Sequence, residues 1–203
     1  MTLSTPEVDI GENAKVCYST SGDKDITKSI VHGSGHLAVL RFAYATFKVE
    51  GISVACHTQI VRSSHLEFLV ESKRYVSLEK GGFKFVYPQD LSQDALGIMQ
   101  EHWEDTIDRY QKLIDAGVKK EDARAILPAN TSTNMNITGN LQAWWSALRL
   151  RVSPHAQREV RQVFILVWKQ LSKAYPNVFS YGMKINRFTL EEWIEKEPII
   201  VSS

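Results

Sequence analysis

The sequence is poor in cysteine, in net charge and in long apolar runs, and each shortage excludes a class of protein. Cys17 and Cys56 are too few for a disulfide framework and lack metal-site spacing, so we predict reduced, packed thiols and no bound metal. The formal net charge of +1 argues against a protein that coats nucleic acid. No apolar run approaches the roughly 18 residues that span a bilayer. Residues 1–10 lack the basic stretch of a secretion signal, so we expect a cytoplasmic protein without a membrane segment.

What the chain does contain is ordinary for a soluble globular protein. Of its 203 residues, 43% are hydrophobic and 23% are charged, which is enough apolar material for a real core. The sequence has no internal repeat, low-complexity tract or long linker, so we predict a single domain over residues 1–203. A few strand-like segments are mixed with several helical ones without strict alternation, and this mixture predicts the α+β class.

Local patterns in the first half predict short, mixed elements. Gly33 and Gly35 mark the end of a first helix. β-Branched and aromatic residues then predict a strand, which Gly51 breaks. The predicted elements are a helix at 25–32, a strand at 37–49, a buried helix within 52–62 and an extended segment at 74–88 that turns at Gly81 and Gly82.

The second half is predicted to be helical. Ser92 has the side chain of a helix N-cap, and Gly117 suits the left-handed residue just past the end of that helix near Ala116. Residues with three- and four-residue spacing predict an apolar stripe along it. The stripe consists of Ile98, Met99, His102, Trp103, Ile107, Tyr110, Leu113 and Ile114. The further predicted helices are 121–127, stopped by Pro128, then 141–150 and 155–175.

Arginine is the residue type with the most relevance to chemistry here. Guanidinium groups bind phosphate oxygens in pairs, and Arg62, Arg74 and Arg151 lie where predicted elements end, so they are able to converge on one dianionic ligand. The alternative for any one of them is a solvated surface arginine paired with an acid. The arginines considered are Arg62, Arg74, Arg124, Arg149, Arg151, Arg158 and Arg161.

Two histidines and a pair of tryptophans each allow two interpretations. His36 follows the small-residue turn Gly33–Gly35 and either meets a ligand or makes a structural hydrogen bond. His155 opens a predicted helix and is equally a cap-region residue. Because neighbouring helical residues point about 100° apart, we expect core packing for one of Trp144 and Trp145. The sequence has no dinucleotide-binding glycine motif, phosphate loop or nucleophile elbow.

Five short segments occur in an ordered series. The segments are Ala14–Tyr18, Gly35–His36, Gln59–Arg62 with Ser72–Tyr75, Ala123–Pro128 and Leu150–Val160. Together they resemble the flavin-dependent thymidylate synthases over roughly residues 10–180, which leaves a peripheral tail at about 181–203. The resemblance implies an α+β domain in which several helices pack a mainly antiparallel sheet, and it implies an enzyme that transfers one-carbon units.

The central motif of that family is only half retained. The family pattern is Arg-His-Arg, then a serine, an asparagine, a second serine and Arg-Tyr. Arg62 matches the first arginine, but Ser63 and Ser64 occupy the next two positions. Glu67 and Leu69 replace the first serine and the asparagine. The retained end of the motif consists of Ser72, Arg74 and Tyr75.

The retained positions imply a nucleotide site. In the family, the serine and Arg-Tyr end of the motif binds deoxyuridine monophosphate (dUMP), together with two arginines that match Arg124 and Arg151. Several arginines and a hydroxyl also suit a dianionic phosphate on electrostatic grounds. The implied substrate-binding residues are Ser72, Arg74, Tyr75, Arg124 and Arg151. The candidate catalytic residues are Arg151 and Glu67, although Glu67 is either an acid–base group or a solvated loop carboxylate.

The cofactor end of the resemblance is altered. Arg41 and Phe42 replace a glutamate–histidine pair, while Gln142 and Ser146 replace an arginine and an asparagine that usually face the flavin. A lost charged contact costs about 1.5–3 kcal/mol, so uncompensated losses predict weakened binding of FAD. Arg41 is a new cation that is able to replace one of them. The implied cofactor-binding residues are His36, Arg62, Ser63, Ser64, Ser146 and His155.

Three functions remain open from the sequence, and the first is preferred. A thymidylate synthase would methylate C5 of dUMP, with a carbon from methylenetetrahydrofolate and a hydride from FAD reduced by NADPH. A hydroxymethyltransferase would act on dUMP or deoxycytidine monophosphate (dCMP), with water intercepting the carbon unit and flavin dispensable. A catalytically inactive protein would only bind nucleotide. The resemblance further implies a homotetramer with active sites shared between chains.

Overall fold

A computed structural model describes residues 2–3, 7–18, 26–73 and 82–197. Within them the chain combines helices with a sheet whose strand order is β1-β2-β4-β3. The strands are β1 (Thr2–Leu3), β2 (Tyr44–Ser53), β3 (Glu67–Val70) and β4 (Ser132–Asn140). The α-helices are α1 (Glu7–Tyr18), α2 (Val54–Ile60), α3 (Gln93–Asp115), α4 (Lys120–Ala123), α5 (Leu141–Arg151), α6 (Arg158–Ala174), α7 (Pro176–Phe179) and α8 (Leu190–Lys196). A π-helical turn at Ser29–Gly33 and 3₁₀ helices at Leu37–Phe42 and Arg124–Ile126 complete the set.

The sheet is antiparallel. β1 pairs with β2 in antiparallel register, with Thr2 opposite Thr46. The hydroxyls of Thr46 and Thr138 are hydrogen-bonded at 2.7 Å, and the Val54 amide donates to the Thr131 carbonyl at 3.0 Å. Because residue numbers rise along β2 while those of the partners fall along β4, these two strands also run in opposite directions. The α+β class with a small antiparallel sheet is therefore confirmed.

Contacts divide the chain into two compact units, which are described separately. The first unit comprises Met1–Lys48, Ile60–Phe68 and Asn136–Ser203. The second comprises Val49–Gln59 and Leu69–Met135. The single domain over residues 1–203 stays a prediction.

Buried aromatic side chains organise the core of the first unit. Trp144 on α5 is fully buried; its indole N–H donates to the Ala45 carbonyl at 3.0 Å, and its ring packs edge-on against Phe47. Trp168 is also fully buried and donates to the Phe179 carbonyl at 2.8 Å. Both of these indole N–H groups thus have an acceptor, which is the condition for burying tryptophan without a polar penalty, whereas the buried Nε1 of Trp145 has no partner among the described residues. The expectation that one of the adjacent tryptophans packs in the core is confirmed by Trp144.

Helix α3 packs the core of the second unit and begins and ends as predicted. The Ser92 side chain accepts a hydrogen bond from the Ala95 amide at 3.2 Å, and Gly117 has a left-handed φ of +84°. Ile98, however, is 69% exposed and His102 is also exposed, so their assignment to the stripe was wrong. The side chains that pack together in this unit are Phe83, Trp103, Ile107, Tyr110, Leu113, Ile114, Val118, Ala123 and Leu127.

The predicted strand at 37–49 was wrong in its first half. Residues Leu37–Phe42 form a 3₁₀ helix that buries the consecutive residues Val39 and Leu40, which one face of a strand does not do. The strand instead continues past Gly51, which has a φ of +69° and donates its amide to the Asn134 side chain at 2.9 Å. Glycine here permits a left-handed residue inside a strand and does not terminate it.

The sequence patterns also missed strand β4 and misjudged some helix limits. Thr133, Met135 and Ile137 alternate as buried residues along β4, but the asparagines and threonines between them disguised the strand. Helix α6 begins at Arg158, so His155 lies in a turn and does not open a helix. The predicted helix 121–127 is the short α4 followed by a 3₁₀ turn. Residues 74–81 of the predicted extended segment lie outside the described part of the chain.

The segment expected to be a peripheral tail contributes to the core as far as it is described. Between residues 181 and 197 it buries Met183, Ile185, Leu190 and Trp193. Cys56 is a buried free thiol, as predicted, whereas the side chain of Cys17 lies outside the described residues. No helix in the described ranges is both long enough and apolar enough to cross a bilayer.

Candidate functional site

The predicted site residues are distributed over both compact units. Two of them, Arg74 and Tyr75, lie outside the described residues, so the phosphate end of the motif is only partly visible. Ser72 and Arg124 belong to the second unit, where both are exposed. Arg124 donates from Nε to the Glu121 carbonyl at 3.0 Å. The residues in the first unit are His36, Arg62, Ser63, Ser64, Glu67, Ser146, Arg151 and His155.

The structure brings Arg151 and Ser63 into direct contact. Arg151 is the last residue of α5, and its Nε donates to the Ser63 hydroxyl oxygen at 3.1 Å. Ser63 lies in the turn after α2 and is only 4% exposed. Its own amide donates to the Ile60 carbonyl at 2.9 Å, which closes that turn. Two residues that are 88 positions apart in sequence are thereby joined by a partly buried hydrogen bond.

Packing against strand β4 holds the turn of Ser63 in place. A Cβ atom at Gly139 would lie 2.5 Å from Cδ2 of Leu66 and 3.3 Å from the carbonyl oxygen of His65, so only glycine allows this close approach. Helix α5 begins immediately after β4, with the Asn140 side chain accepting from the Ala143 amide at 2.9 Å. The same strand therefore locates the turn that carries Ser63 and the start of the helix that carries Arg151.

The charges around Arg151 favour an anionic ligand. Burial, and in second place the positive charge of Arg62, lowers the pKa of the Arg151 guanidinium, which still remains protonated because arginine titrates so far above neutrality. Among the described residues, no carboxylate forms an ion pair with either Arg62 or Arg151. Cations that pair with no carboxylate in the described part of the chain make a site that an incoming phosphate would stabilise.

The segment after Arg151 is fixed by Arg161 on α6 and by two residues that follow position 181, Asn186 and Glu197. Arg161 donates from Nη1 to the carbonyls of Pro154 at 3.2 Å and Ala156 at 2.6 Å, and it pairs with Glu197 through Nε at 2.9 Å. The Asn186 side chain donates to the Val152 carbonyl at 3.1 Å. His155 lies exposed within this anchored turn. The position of the predicted cofactor residue His155 therefore depends on the residues expected to be peripheral.

At the cofactor end, two of the altered positions contact each other. Arg41 donates from Nε to the side-chain oxygen of Gln142 at 2.5 Å. The 3₁₀ helix that carries Arg41 packs on α5, which carries Gln142. Ser146 donates its hydroxyl to the Gln142 carbonyl one turn earlier at 3.0 Å, and Phe42 is 66% exposed beside Arg41. The substitutions at positions 41 and 142 are thus physically coupled.

Most of the predicted cofactor residues have the exposure and chemistry to hold an anionic dinucleotide such as FAD. His36, Arg62, Ser64, Ser146 and His155 are all exposed, and they offer cationic or hydroxyl donors. Ser63 does not fit this role, because its hydroxyl is buried and accepts from Arg151. Five of the six members are therefore exposed to such a group, and one of these, Ser146, already donates its hydroxyl to the Gln142 carbonyl.

Glu67, the second candidate catalytic residue, lies at the start of β3. Its side chain is exposed, and it makes no hydrogen bond or ion pair within the described ranges. Its acid–base role stays a prediction. No group of His, Cys, Asp and Glu in those ranges is arranged to hold a metal ion.

Sequence reasoning missed two contacts that organise the site. The Ser63–Arg151 and Arg41–Gln142 hydrogen bonds join residues 88 and 101 positions apart, and neither pair has a periodic or motif signal. The one indication of these contacts in the sequence was that these altered positions belong to the cofactor end of the family pattern.

Comparison with known proteins identifies the family. The family model described as "Thymidylate synthase complementing protein" matches residues 1–177. The chain belongs to this family. It is 30% identical over 174 residues to the flavin-dependent thymidylate synthase of Sulfurisphaera tokodaii, covering 86% of this chain and 66% of that protein. It is 32% identical over 171 residues to that of Pyrococcus furiosus, covering 80% and 68%.

A bacterial relative extends the comparison. The flavin-dependent thymidylate synthase of Geobacter sulfurreducens is 28% identical over 187 residues, which cover 86% of this chain and 81% of that protein. The matches thus span about two thirds of the two archaeal relatives and more of the bacterial one. The family resemblance drawn from the five short segments is confirmed.

Proposed function

We propose that this chain methylates C5 of dUMP as a flavin-dependent thymidylate synthase, with methylenetetrahydrofolate as the carbon donor. The observation that carries the proposal is the Arg151 guanidinium, which is held through Nε by the buried Ser63 and has no carboxylate partner among the described residues. Family membership gives this anion site its meaning, because the relatives are named for this reaction.

Arg151 has the central role in substrate binding. Its Nε is occupied by Ser63, so Nη1 and Nη2 are left to grip two phosphate oxygens in a bidentate manner. Arg151 is also proposed as a catalytic residue, as the resemblance implies, because its fixed positive charge would stabilise negative charge that develops on the nucleotide during C5 alkylation. Ser72, Arg74, Tyr75 and Arg124 are proposed as further phosphate and substrate contacts, as the family motif implies.

The proposed cofactor is FAD, with NADPH as its reductant. His36, Arg62, Ser64, Ser146 and His155 would hold it, and Arg41 is a further cation on the same compact unit. A reduced flavin supplies the hydride that converts the transferred carbon into a methyl group. The chain's own contribution is to bind and orient the nucleotide and to fix the cations around it.

The two other functions derived from the sequence become outcomes of the test. A hydroxymethyltransferase acting on dUMP or dCMP, or an inactive nucleotide-binding protein, would retain the same arginines. The three relatives compared above are named as flavin-dependent thymidylate synthases, which favours methylation over either alternative. We further propose a homotetramer with shared active sites, as the resemblance implies; gel filtration with light scattering tests it. The cytoplasmic location stays a prediction.

The decisive experiment combines the purified protein with methylenetetrahydrofolate, FAD and NADPH, and offers dUMP and dCMP in separate reactions. Product mass then distinguishes the three functions. We expect dUMP to gain one methylene unit (CH2) and to do so only when flavin is present. A gain of CH2O without flavin would establish the hydroxymethyltransferase instead. Tight dUMP binding with no product in any reaction would establish an inactive binding protein, and Arg151→Ala provides the background control.

A further inference from the structure

We infer that Ser63 is a positioning residue that orients the Arg151 guanidinium toward the nucleotide phosphate, and is not a cofactor contact. The inference rests on the proposed function, since it assumes that Arg151 binds a nucleotide. It reassigns a position that the family pattern would give to the flavin end of the site. Three observations support the inference: the burial of Ser63, its hydrogen bond with Arg151 and the charges around Arg151.

The burial of Ser63 argues against a ligand contact. The residue is 4% exposed, whereas its neighbours in sequence, Arg62 and Ser64, are both exposed. A side chain that is already enclosed by protein offers little surface to a cofactor. The two serines that replace the histidine and second arginine of the family pattern therefore have different surroundings: Ser64 faces solvent, and Ser63 faces Arg151.

The hydrogen bond between the two residues has a defined direction. Arginine has no acceptor, so Nε of Arg151 donates and the Ser63 oxygen accepts, at 3.1 Å. A guanidinium is planar, and fixing its Nε–H direction also fixes the plane in which Nη1 and Nη2 lie. Within the described ranges, neither of these terminal nitrogens of Arg151 donates to a protein acceptor. Ser63 thereby sets the orientation of a guanidinium group whose Nη1 and Nη2 are available to a ligand.

The neutrality of the serine hydroxyl matters for the charge of the site. Arg151 is partly buried and has Arg62 nearby, so its Nε needs an acceptor to replace lost water. A carboxylate at that position would satisfy Nε but would also neutralise the cation and compete with a phosphate. A hydroxyl satisfies the donor and leaves the whole positive charge for the ligand. This combination suits a residue that prepares an arginine for an anion.

The inference is tested by measuring dUMP and FAD affinities separately for Ser63→Ala, with Ser180→Ala, at an exposed serine of the same compact unit outside the proposed site, as the control. We expect Ser63→Ala to weaken dUMP binding about tenfold, because a hydrogen bond to a charged group is lost, and to change FAD affinity less than about twofold. Ser63→Thr, which keeps the hydroxyl, should restore most of the dUMP affinity. Ser180→Ala should leave both affinities unchanged.

A double-mutant cycle shows whether Ser63 acts through Arg151. In the Arg151→Lys background, which has no guanidinium to orient, Ser63→Ala should cause no further loss of dUMP affinity. Additive losses would overturn the inference, because they would mean that Ser63 acts on the nucleotide by another route. A Ser63→Ala variant that loses FAD affinity but keeps dUMP affinity would also overturn it and would return Ser63 to the cofactor.

A crystal structure of Ser63→Ala separates this inference from the proposed function. We expect the Arg151 side chain to leave its present orientation when its acceptor is removed. An unchanged Arg151 would refute the positioning role even if dUMP is the substrate. A wild-type protein that binds no dUMP would refute the proposed function, while the orientation of Arg151 in the variant would still decide the role of Ser63.

Discussion

Arg151 and Arg41 are held in the same way but in different surroundings. Each donates from Nε to a neutral side chain far away in sequence, Ser63 for Arg151 and Gln142 for Arg41. The first bond ends on a buried hydroxyl, and burial lowers the pKa of its arginine. The second joins an exposed arginine to a partly exposed glutamine. Because water competes for exposed partners and is excluded from buried ones, we expect the first bond to carry more free energy.

The comparison also shows that some altered positions of the family motif contact each other or a retained arginine. The retained arginine, Arg151, bonds to an altered residue, and the new arginine, Arg41, bonds to another altered residue, Gln142. Three departures from the family pattern, at Ser63, Arg41 and Gln142, therefore have a hydrogen-bond partner. Counting lost contacts one position at a time overestimates the damage, since contacting residues do not contribute independently.

The largest effect should come from the most buried ion pair among the described residues, which anchors the turn after Arg151. Arg161 and Glu197 have side chains only 12% and 16% exposed. Arg161→Ala leaves Glu197 and several carbonyls without their donor, so we expect the free energy of unfolding to fall by about 3 kcal/mol in urea titrations. The exposed pair of Arg109 with Asp105 is the control, and Arg109→Ala should have no measurable effect. Equal effects of the two variants would contradict the role of burial.

The next effect concerns the arginine of the anion site itself. Arg151→Ala should weaken dUMP binding at least tenfold in calorimetric titrations, because it removes a fixed cation from the phosphate. Arg149→Ala is the matched control on the same helix, since Arg149 is exposed and makes no described side-chain bond. Near-wild-type affinity of the Arg151 variant would remove the phosphate assignment.

A smaller effect is expected at the exposed pair. Arg41→Ala should weaken FAD binding about threefold, as judged by quenching of flavin fluorescence, because an exposed charge contributes little. Gln142→Ala should give a similar loss, and the double variant should be no worse than either alone, since the glutamine acts by holding the arginine. Neither variant should alter dUMP affinity. If either variant lost as much FAD affinity as Arg151→Ala loses dUMP affinity, then exposure would not determine how much these hydrogen bonds contribute to binding.

The smallest effect is a pH dependence at His57. Burial lowers the pKa of His57 below its ordinary value of 6.5. The unfolded chain therefore binds more protons than the folded one just below pH 6.5, and stability falls as the pH falls through that region. His57→Gln should flatten this acid side of the melting-temperature profile. His102→Gln, at an exposed histidine of α3, should leave the profile unchanged; identical profiles for both variants would contradict the prediction.

The features predicted well from sequence are those with local causes. Ser92 caps α3 through an amide three residues away, and Gly117 adopts the left-handed conformation that a helix end requires. The features predicted badly depend on distant neighbours. The polar strand β4 is held by strands from other parts of the sequence, and Val39 and Leu40 form a 3₁₀ helix that carries Arg41 onto α5.

The amino-acid sequence by itself determined the family, the α+β class and the candidate site residues, because motif order and short-range spacing are properties of the sequence alone. It also determined that Ser63 and Ser64 replace two family residues. Only the tertiary structure decided that these two serines differ, with one buried against Arg151 and the other facing solvent. Burial and hydrogen-bond partners depend on how segments 88 residues apart come together, and adjacent serines are indistinguishable until the chain is folded.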